Sequence, residues 1–155
     1  MSGTELLTGL WPPVATPFAG DGSIDLHKLV RHSRALLDEG ATGLAILGTT
    51  SEANSLTLRE RRAVIDSHIE AGIEPRQLLP GTGACAIDDV VELTRHAGEV
   101  GVAGVLLLPP FYYKGVSDDG LFAFVAAVIG APAPACRRLC STTSRRWLRS
   151  AGRMR

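Results

Sequence analysis

The sequence predicts an α/β fold that is built on a parallel sheet. Short apolar runs begin near residues 10, 43, 77 and 104, and a helical pattern follows each of them. Steps of roughly 30 residues are the length of a βαβ unit. The runs are continuous and do not alternate, which is typical of strands covered on both faces. An open doubly wound sheet and a (β/α)8 barrel share this pattern, so both architectures remain open at this point.

The helical segments have recognisable starts. Thr57 and Glu60 have the T-x-x-E spacing of a capping box, so we expect a helix to begin there. Ser117 is expected to cap the fourth helix, with Asp118 and Asp119 favourably placed in its first turn. The first helix is predicted from a stripe of residues at helical spacing, which consists of Leu26, Leu29, Val30, Ser33, Leu36 and Leu37.

Length and composition indicate a globular protein outside the membrane. The chain has 155 residues, of which 45% are hydrophobic and 21% charged, and one domain is the usual expectation at this size. No apolar run reaches 18 residues, and the first ten residues do not resemble a secretory signal. Cys85, Cys136 and Cys140 match no zinc spacing, so we interpret them as reduced thiols. These features predict a cytoplasmic protein without a metal site.

The charge distribution divides the chain at about residue 130. Residues 1–130 hold all 16 acidic residues against nine Lys and Arg, a net charge of −7, whereas residues 131–155 hold seven Arg and no acid. We predict that 131–155 is a basic, aberrant tail without a strand, either disordered or translated out of frame. A native tail that binds nucleic acid is the alternative. We do not favour it, because the tail has no Lys and no repeated spacing.

A polar stretch, "LGTTSEAN" at residues 47–54, follows the second predicted strand. Ligands bind at the carboxyl ends of strands in parallel α/β folds. Thr49 and Thr50 offer two hydroxyl groups there, and neighbouring backbone N–H groups add donors, which suits a small carboxylate or phosphate. An ordinary βα turn with capping hydroxyls explains the same residues, so both interpretations stay open.

Two other loops follow predicted strands. The stretch "GTGACA", residues 81–86, matches G-x-G-x-x-G/A, but it lies in the third unit and no acid ends the next strand, so a tight turn is favoured over a dinucleotide site. In "PPFYYKG", residues 109–115, Tyr112 and Tyr113 suit either proton transfer or packing on a neighbouring subunit. Lys28 and Lys114 do not look desolvated, as a Schiff-base lysine should be. All four histidines fall in predicted helices, where structural or surface roles are expected: His27, His32, His68 and His96.

Four stretches taken together carry a family resemblance: "VATPF", "GTTSEANSLTLRER", "PGTGA" and "LLLPPFYY". In this order and spacing they resemble the dihydrodipicolinate synthase / N-acetylneuraminate lyase family over about residues 8–130. Members of that family are (β/α)8-barrel class I aldolases that act on pyruvate or related 2-keto acids. The resemblance therefore implies a TIM-barrel fold that is truncated here to about its first four βα units, with residues 1–130 forming the N-terminal half.

The resemblance also implies roles for individual residues. Thr49 and Thr50 take the position that binds the keto-acid carboxylate and relays protons, and Gly48 allows the backbone to approach closely. Tyr112 takes the position of a tyrosine that joins a proton relay in a neighbouring subunit, and Tyr113 is the alternative if the register slips by one. Where many relatives have Gly, this chain has Ser51, which we expect a turn to tolerate.

The resemblance fails at the residues of the covalent step. The Schiff-base lysine of the family follows on the sixth strand and its second catalytic tyrosine on the fifth, and residues 131–155 contain neither Lys nor Tyr. We therefore expect this chain to be part of a lyase that forms or cleaves carbon–carbon bonds, with pyruvate or a similar substrate and without a cofactor. The full-length protein is expected to be a homo-oligomer. This chain alone is expected to be inactive. The alternative is a non-catalytic α/β domain that binds a small acid or self-associates.

Overall fold

The structure is a computed structural model that describes residues 7–131 and 139–141. Four α-helices of similar length alternate with extended segments, as the sequence predicts. None of the helices in the described ranges is long and apolar enough to cross a membrane. The helices are α1 (Leu26–Asp38), α2 (Leu58–Glu70), α3 (Ile87–Val100) and α4 (Asp118–Gly130), the short 3-10 turns are Ala53–Ser55 and Pro75–Gln77, and the regular strands are β1 (Val105–Leu107) and β2 (Leu139–Ser141).

Side chains cap the helices where the sequence predicts caps. The Thr57 hydroxyl accepts from the Glu60 N–H at 3.3 Å, and the Glu60 carboxylate accepts from the Thr57 N–H at 2.8 Å, which completes the predicted capping box of α2. Ser117 accepts from the Gly120 N–H at 3.1 Å at the start of α4. In addition, Asp25 caps α1. These groups provide hydrogen bonds for backbone N–H groups that have no partner within a helix.

The extended segments lie side by side in the order of the chain, and all of them run parallel. Each segment pairs with the one that follows it in sequence, whereas a doubly wound sheet reverses its strand order at a switch point. This order is that of a barrel, although the array is not closed over the described ranges. The paired residues are Pro13 with Ala45, Leu44 with Leu78, Gly81 with Leu106, and Val105 of β1 with Leu139 of β2.

The expectation that no strand follows the fourth helix is wrong at residues 139–141, which form β2. Parallel pairing uses backbone groups, so the free edge of β1 accepts a segment that has too few apolar residues to be recognised as a strand. Residues 132–138 and 142–155 lie outside the described residues. The same holds for Cys136 and for the predicted disorder or frame change of the tail.

Within residues 7–131, helices cover only one face of the array. Successive side chains of a strand point to opposite faces, so residues of one segment divide between the two sides. Leu44 and Ile46 are buried in a core with Leu29 of α1 and Val64 of α2. The alternate residue, Ala45, lines a cavity instead. The predicted coverage of both faces is therefore wrong for the second face over the described residues.

A buried histidine joins α1 to α2. Nδ1 of His68 lies 2.7 Å from the Val64 carbonyl oxygen, which can only accept, so Nδ1 carries the proton. Nε2 lies 2.8 Å from the Ser33 hydroxyl and therefore accepts from it. Burial lowers the pKa of His68, because the charged imidazolium loses its hydration. All four histidines lie in helices as predicted: His27 and His32 in α1, His68 in α2 and His96 in α3.

The neutral state of His68 predicts a loss of stability in mild acid. Because the pKa of folded His68 lies below its ordinary value of 6.5, the unfolded chain takes up a proton at this residue more readily than the folded chain as the pH falls. The free energy of unfolding should therefore fall between pH 7.5 and pH 5.5 because of this residue, since the unfolded state binds more protons there. Urea denaturation at both pH values measures the difference.

His68→Gln should lose this part of the pH dependence, even though the variant is less stable overall. His32→Gln, at an exposed position of α1, is the matched control and should keep it. An equal pH dependence in His68→Gln and the unaltered chain would contradict the assignment of a neutral His68.

Candidate functional site

A cavity of about 260 Å³ lies where the parallel segments end. Each of the first four segments contributes to its wall. The polar side chains that line it are hydroxyls and an amide, and no ionisable side chain takes part. The lining residues are Pro13, Ala45, Leu47, Gly48, Thr49, Thr50, Ala53, Asn54, Gly81, Gly83, Leu106 and Leu108.

The second extended segment, which contains Leu44 and Ala45, ends in an abrupt change of backbone direction. Leu47 has φ +56°, a left-handed conformation that is uncommon for residues other than Gly and that clusters at functional sites. Beyond it the chain forms a tight turn, in which the Ser51 N–H donates to the Gly48 carbonyl at 3.1 Å. Thr49 and Thr50 lie exposed in this turn and line the cavity, so the structure brings the predicted residues Gly48, Thr49 and Thr50 together.

Ser51 ties this turn to the end of the first segment. Its side chain donates to the Val14 carbonyl at 2.5 Å and accepts from the Gly48 N–H at 3.3 Å. Its own carbonyl accepts from the Thr16 hydroxyl at 2.8 Å. Ser51 is only 1% exposed, so these bonds lie away from water. The sequence showed only a tolerable turn residue, because its partner Val14 is 37 residues distant along the chain.

Gly81 and Gly83 form a wall of the cavity that has no side chains. A Cβ atom at Gly83 would lie 2.6 Å from the Cβ of Leu108, and one at Gly81 would overlap the Leu47 carbonyl oxygen. Close approach of neighbouring backbones therefore explains both glycines. The tight turn predicted for residues 81–86 is wrong in part, since Gly81 pairs with Leu106 and the chain bends only at residues 85–86.

The two tyrosines lie outside the cavity wall. Tyr112 is 77% exposed and Tyr113 is 58% exposed, and their rings meet edge to face with centroids 5.6 Å apart. The structure therefore does not bring Tyr112 together with Thr49. The proposed proton relay and the proposed contact with a neighbouring subunit both stay predictions.

Neither lysine reaches the cavity. Lys28 is exposed on α1, with Nζ 3.9 Å from an Asp25 carboxylate oxygen. Lys114 is exposed in the loop after β1, where Nζ donates to the Phe111 carbonyl at 3.2 Å. No amine of the described residues is thus placed to attack a ligand in the cavity. In the same ranges, no three His, Cys, Asp or Glu side chains are grouped so as to hold a metal ion.

The parallel segments pair in chain order, and a hydroxyl-lined cavity lies at their carboxyl ends. These two features are typical of the (β/α)-barrel class of proteins. The particular family follows from comparison with known proteins. Residues 6–135 match the model of the dihydrodipicolinate synthetase family, and the chain belongs to this family. The resemblance inferred from the sequence is therefore confirmed.

Individual relatives agree with this assignment. The 4-hydroxy-tetrahydrodipicolinate synthase of Agrobacterium fabrum is 33% identical over 126 residues, which are 81% of this chain and 42% of that protein. Among solved structures, dihydrodipicolinate synthase from Agrobacterium tumefaciens has a TM-score of 0.82 and 37% identity, with 86% of this chain and 46% of that chain covered. YagE of Escherichia coli, solved in complex with pyruvate, has a TM-score of 0.75 and 28% identity, with 88% and 45% covered.

The chain thus spans about 42% of the length of the curated relatives it matches. The matched structures are TIM-barrel enzymes. Membership in the TIM-barrel family is confirmed in this coarser form, whereas a truncation to four βα units stays a prediction.

The position of Ser51 predicts that its hydroxyl stabilises the chain. Ser51→Ala leaves the Val14 carbonyl and the Gly48 N–H without their side-chain partner in a buried place. The free energy of unfolding should fall by about 1–3 kcal/mol, the usual cost of an unsatisfied buried group. Chemical denaturation measures the change. Ser55→Ala, at an exposed position of the adjacent 3-10 turn, is the control and should change it by less than about 0.5 kcal/mol. Equal effects of the two substitutions would argue against the role of Ser51.

Proposed function

We propose that the cavity binds the carboxylate of a 2-keto acid such as pyruvate through Gly48, Thr49 and Thr50. The observation that carries this proposal is the turn after Leu47, which holds two exposed hydroxyls at the carboxyl end of a parallel segment. Hydroxyl and backbone N–H groups donate well to carboxylate oxygens. The volume equals that of roughly eight to nine waters at about 30 Å³ each, enough for a ligand of this size. The pyruvate complex of a relative supports the choice of ligand.

The reaction we propose for the complete protein is that of a Schiff-base lyase. Homologues of the chain are class I aldolases that depend on pyruvate. In such a reaction a lysine amine attacks the keto carbon, water leaves, and an imine forms; loss of a proton then yields an enamine that adds to an aldehyde, or the reverse sequence cleaves a carbon–carbon bond. The protonated imine is itself the electron sink, so the proposal needs no cofactor.

Within that reaction this chain supplies binding and proton transfer. Thr49 is proposed to bind the carboxylate and to pass protons to Tyr112, with Tyr113 as the alternative. A homo-oligomer would bring Tyr112 to the cavity of a neighbouring subunit, and the high exposure of its ring supports this arrangement. The proposed location in the cytoplasm rests on sequence composition alone.

The first test is pyruvate binding by the threonine turn, which consists of Gly48, Thr49 and Thr50. Thr49→Val and Thr50→Val remove one hydroxyl each and keep the shape of the side chain. Each should weaken pyruvate binding about tenfold, the effect of one lost hydrogen bond to a charged group. Isothermal titration calorimetry of the 155-residue chain measures the dissociation constant. Thr8→Val, at an exposed position outside the cavity, should leave the dissociation constant unchanged. Equal affinity in all three variants would count against carboxylate binding by Thr49 and Thr50.

The second test concerns the covalent step. Because Lys28 and Lys114 lie outside the cavity, we expect borohydride to trap no pyruvate adduct on the isolated chain. Intact-protein mass spectrometry detects such an adduct as a defined mass increase. The 4-hydroxy-tetrahydrodipicolinate synthase of Agrobacterium fabrum, treated in the same way, is the positive control. A stable adduct on the 155-residue chain would show that the proposed inactivity is wrong.

A second candidate function is a non-catalytic domain that self-associates. The open face of the array favours it, because Pro13 is exposed and Leu106 and Leu108 are only partly buried. Apolar surface of this kind commonly marks a contact with another chain. A chain that binds no pyruvate in the titration and elutes as a dimer or larger species would support this candidate over keto-acid binding.

A further inference from the structure

Arg61 is a buried cation behind the cavity wall. It lies on α2 and is 3% exposed, yet none of the ion pairs formed by the described residues involves it. Burial lowers the pKa of Arg61, while the Asp89 carboxylate raises it. An arginine is seldom buried unless its donors are used, so its contacts require an explanation.

The guanidinium of Arg61 holds two carbonyl groups of the glycine wall. Nη2 donates to the Gly81 carbonyl at 2.8 Å and Nη1 donates to the Gly83 carbonyl at 3.1 Å. Both glycines line the cavity. The planar fork of an arginine spans two acceptors in a fixed geometry, which a lysine ammonium cannot do. Arg61 thus fixes the wall from the side that faces α2.

One of these contacts stands in place of a regular bond between segments. The Leu44 N–H donates to the Gln77 carbonyl at 2.7 Å, and the Gly81 N–H donates to the Ile46 carbonyl at 2.8 Å. A parallel ladder continues in steps of two residues, so the next bond would run from the Gly48 N–H to the Gly81 carbonyl.

That bond is replaced, because Leu47 turns the chain away. The Gly48 N–H donates to the Ser51 side chain instead, at 3.3 Å. Arg61 then supplies the donor that the Gly81 carbonyl would otherwise lack.

We propose that Arg61 is a positioning residue, whose guanidinium replaces the Gly48 N–H as the donor to the Gly81 carbonyl and so keeps both the threonine turn and the glycine wall in their binding shape. Without Arg61, the buried Gly81 carbonyl is left unsatisfied. The Gly48 N–H is the donor next in register, and bonding to it would straighten the second segment and withdraw Thr49 and Thr50. The effect on keto-acid binding rests on the proposed function; the effect on Gly48 does not.

The test compares three variants of the whole chain. Arg61→Met removes the charge and both donors, and Arg61→Lys keeps the charge but not the fork. The matched control is Arg62→Met, because Arg62 is the exposed neighbour on α2, 3.1 Å from Glu92. Two readouts are taken: the amide resonances of Gly48 and Gly81 in the unliganded chain by ¹⁵N–¹H NMR, and the dissociation constant for pyruvate.

We expect both Arg61 variants to shift the Gly48 and Gly81 resonances, and the control to leave them in place. Arg61→Met should weaken pyruvate binding at least about tenfold, and Arg61→Lys should weaken it less, since it keeps one donor. A purely structural role for Arg61 would lower stability in both variants without moving Gly48 or the affinity of the folded fraction.

Unchanged Gly48 and Gly81 resonances in folded Arg61 variants would overturn the proposal. If Arg61→Met fails to fold, Arg61→Lys decides by the same two readouts. If the unaltered chain binds no pyruvate, the proposed function fails, whereas the resonances of Gly48 still decide whether Arg61 positions the turn.

Discussion

The site depends on how the second parallel segment leaves its neighbours at Leu47. A left-handed residue there ends the ladder early, which leaves backbone groups at the segment ends without regular partners. Each such group costs about 1–3 kcal/mol if it stays buried and unpaired. Ser51 bonds the Val14 carbonyl on one side, and Arg61 bonds the Gly81 carbonyl on the other. Two side chains therefore replace ladder bonds on the segments that flank the turn.

The cavity follows from the same departure. Once the chain turns at Leu47, its carbonyl comes so close to Gly81 that a side chain there has no room. Gly83 meets the same limit against Leu108 on the other side. The wall is consequently bare backbone, and the polar side chains that line the cavity are those of Thr49, Thr50 and Asn54. Over the described residues, helices cover one face of the array, where the core lies, and the cavity opens on the other face.

The sequence predicts local features well and distant contacts poorly. The capping box at Thr57 and the cap at Ser117 depend on residues three positions apart, so their spacing in the sequence is sufficient. The choice between an open sheet and a barrel depends on which segments pair, and spacing alone left it open. Ser51 and Arg61 were missed as site residues because their partners lie 37 and about 20 residues away. The strand at residues 139–141 was missed because its segment has too few apolar residues.

A cavity wall without charged side chains suits the formation of an imine. A lysine must lose its proton before it attacks a carbonyl, and an acidic residue beside it would raise its pKa and hold the proton. The cavity wall carries no such residue among those described. The charge of Arg61 lies behind the wall, where it favours a bound carboxylate and disfavours a protonated amine by the same Coulomb interaction. In the reaction that we propose, these residues would therefore assist the lysine amine that attacks the keto carbon.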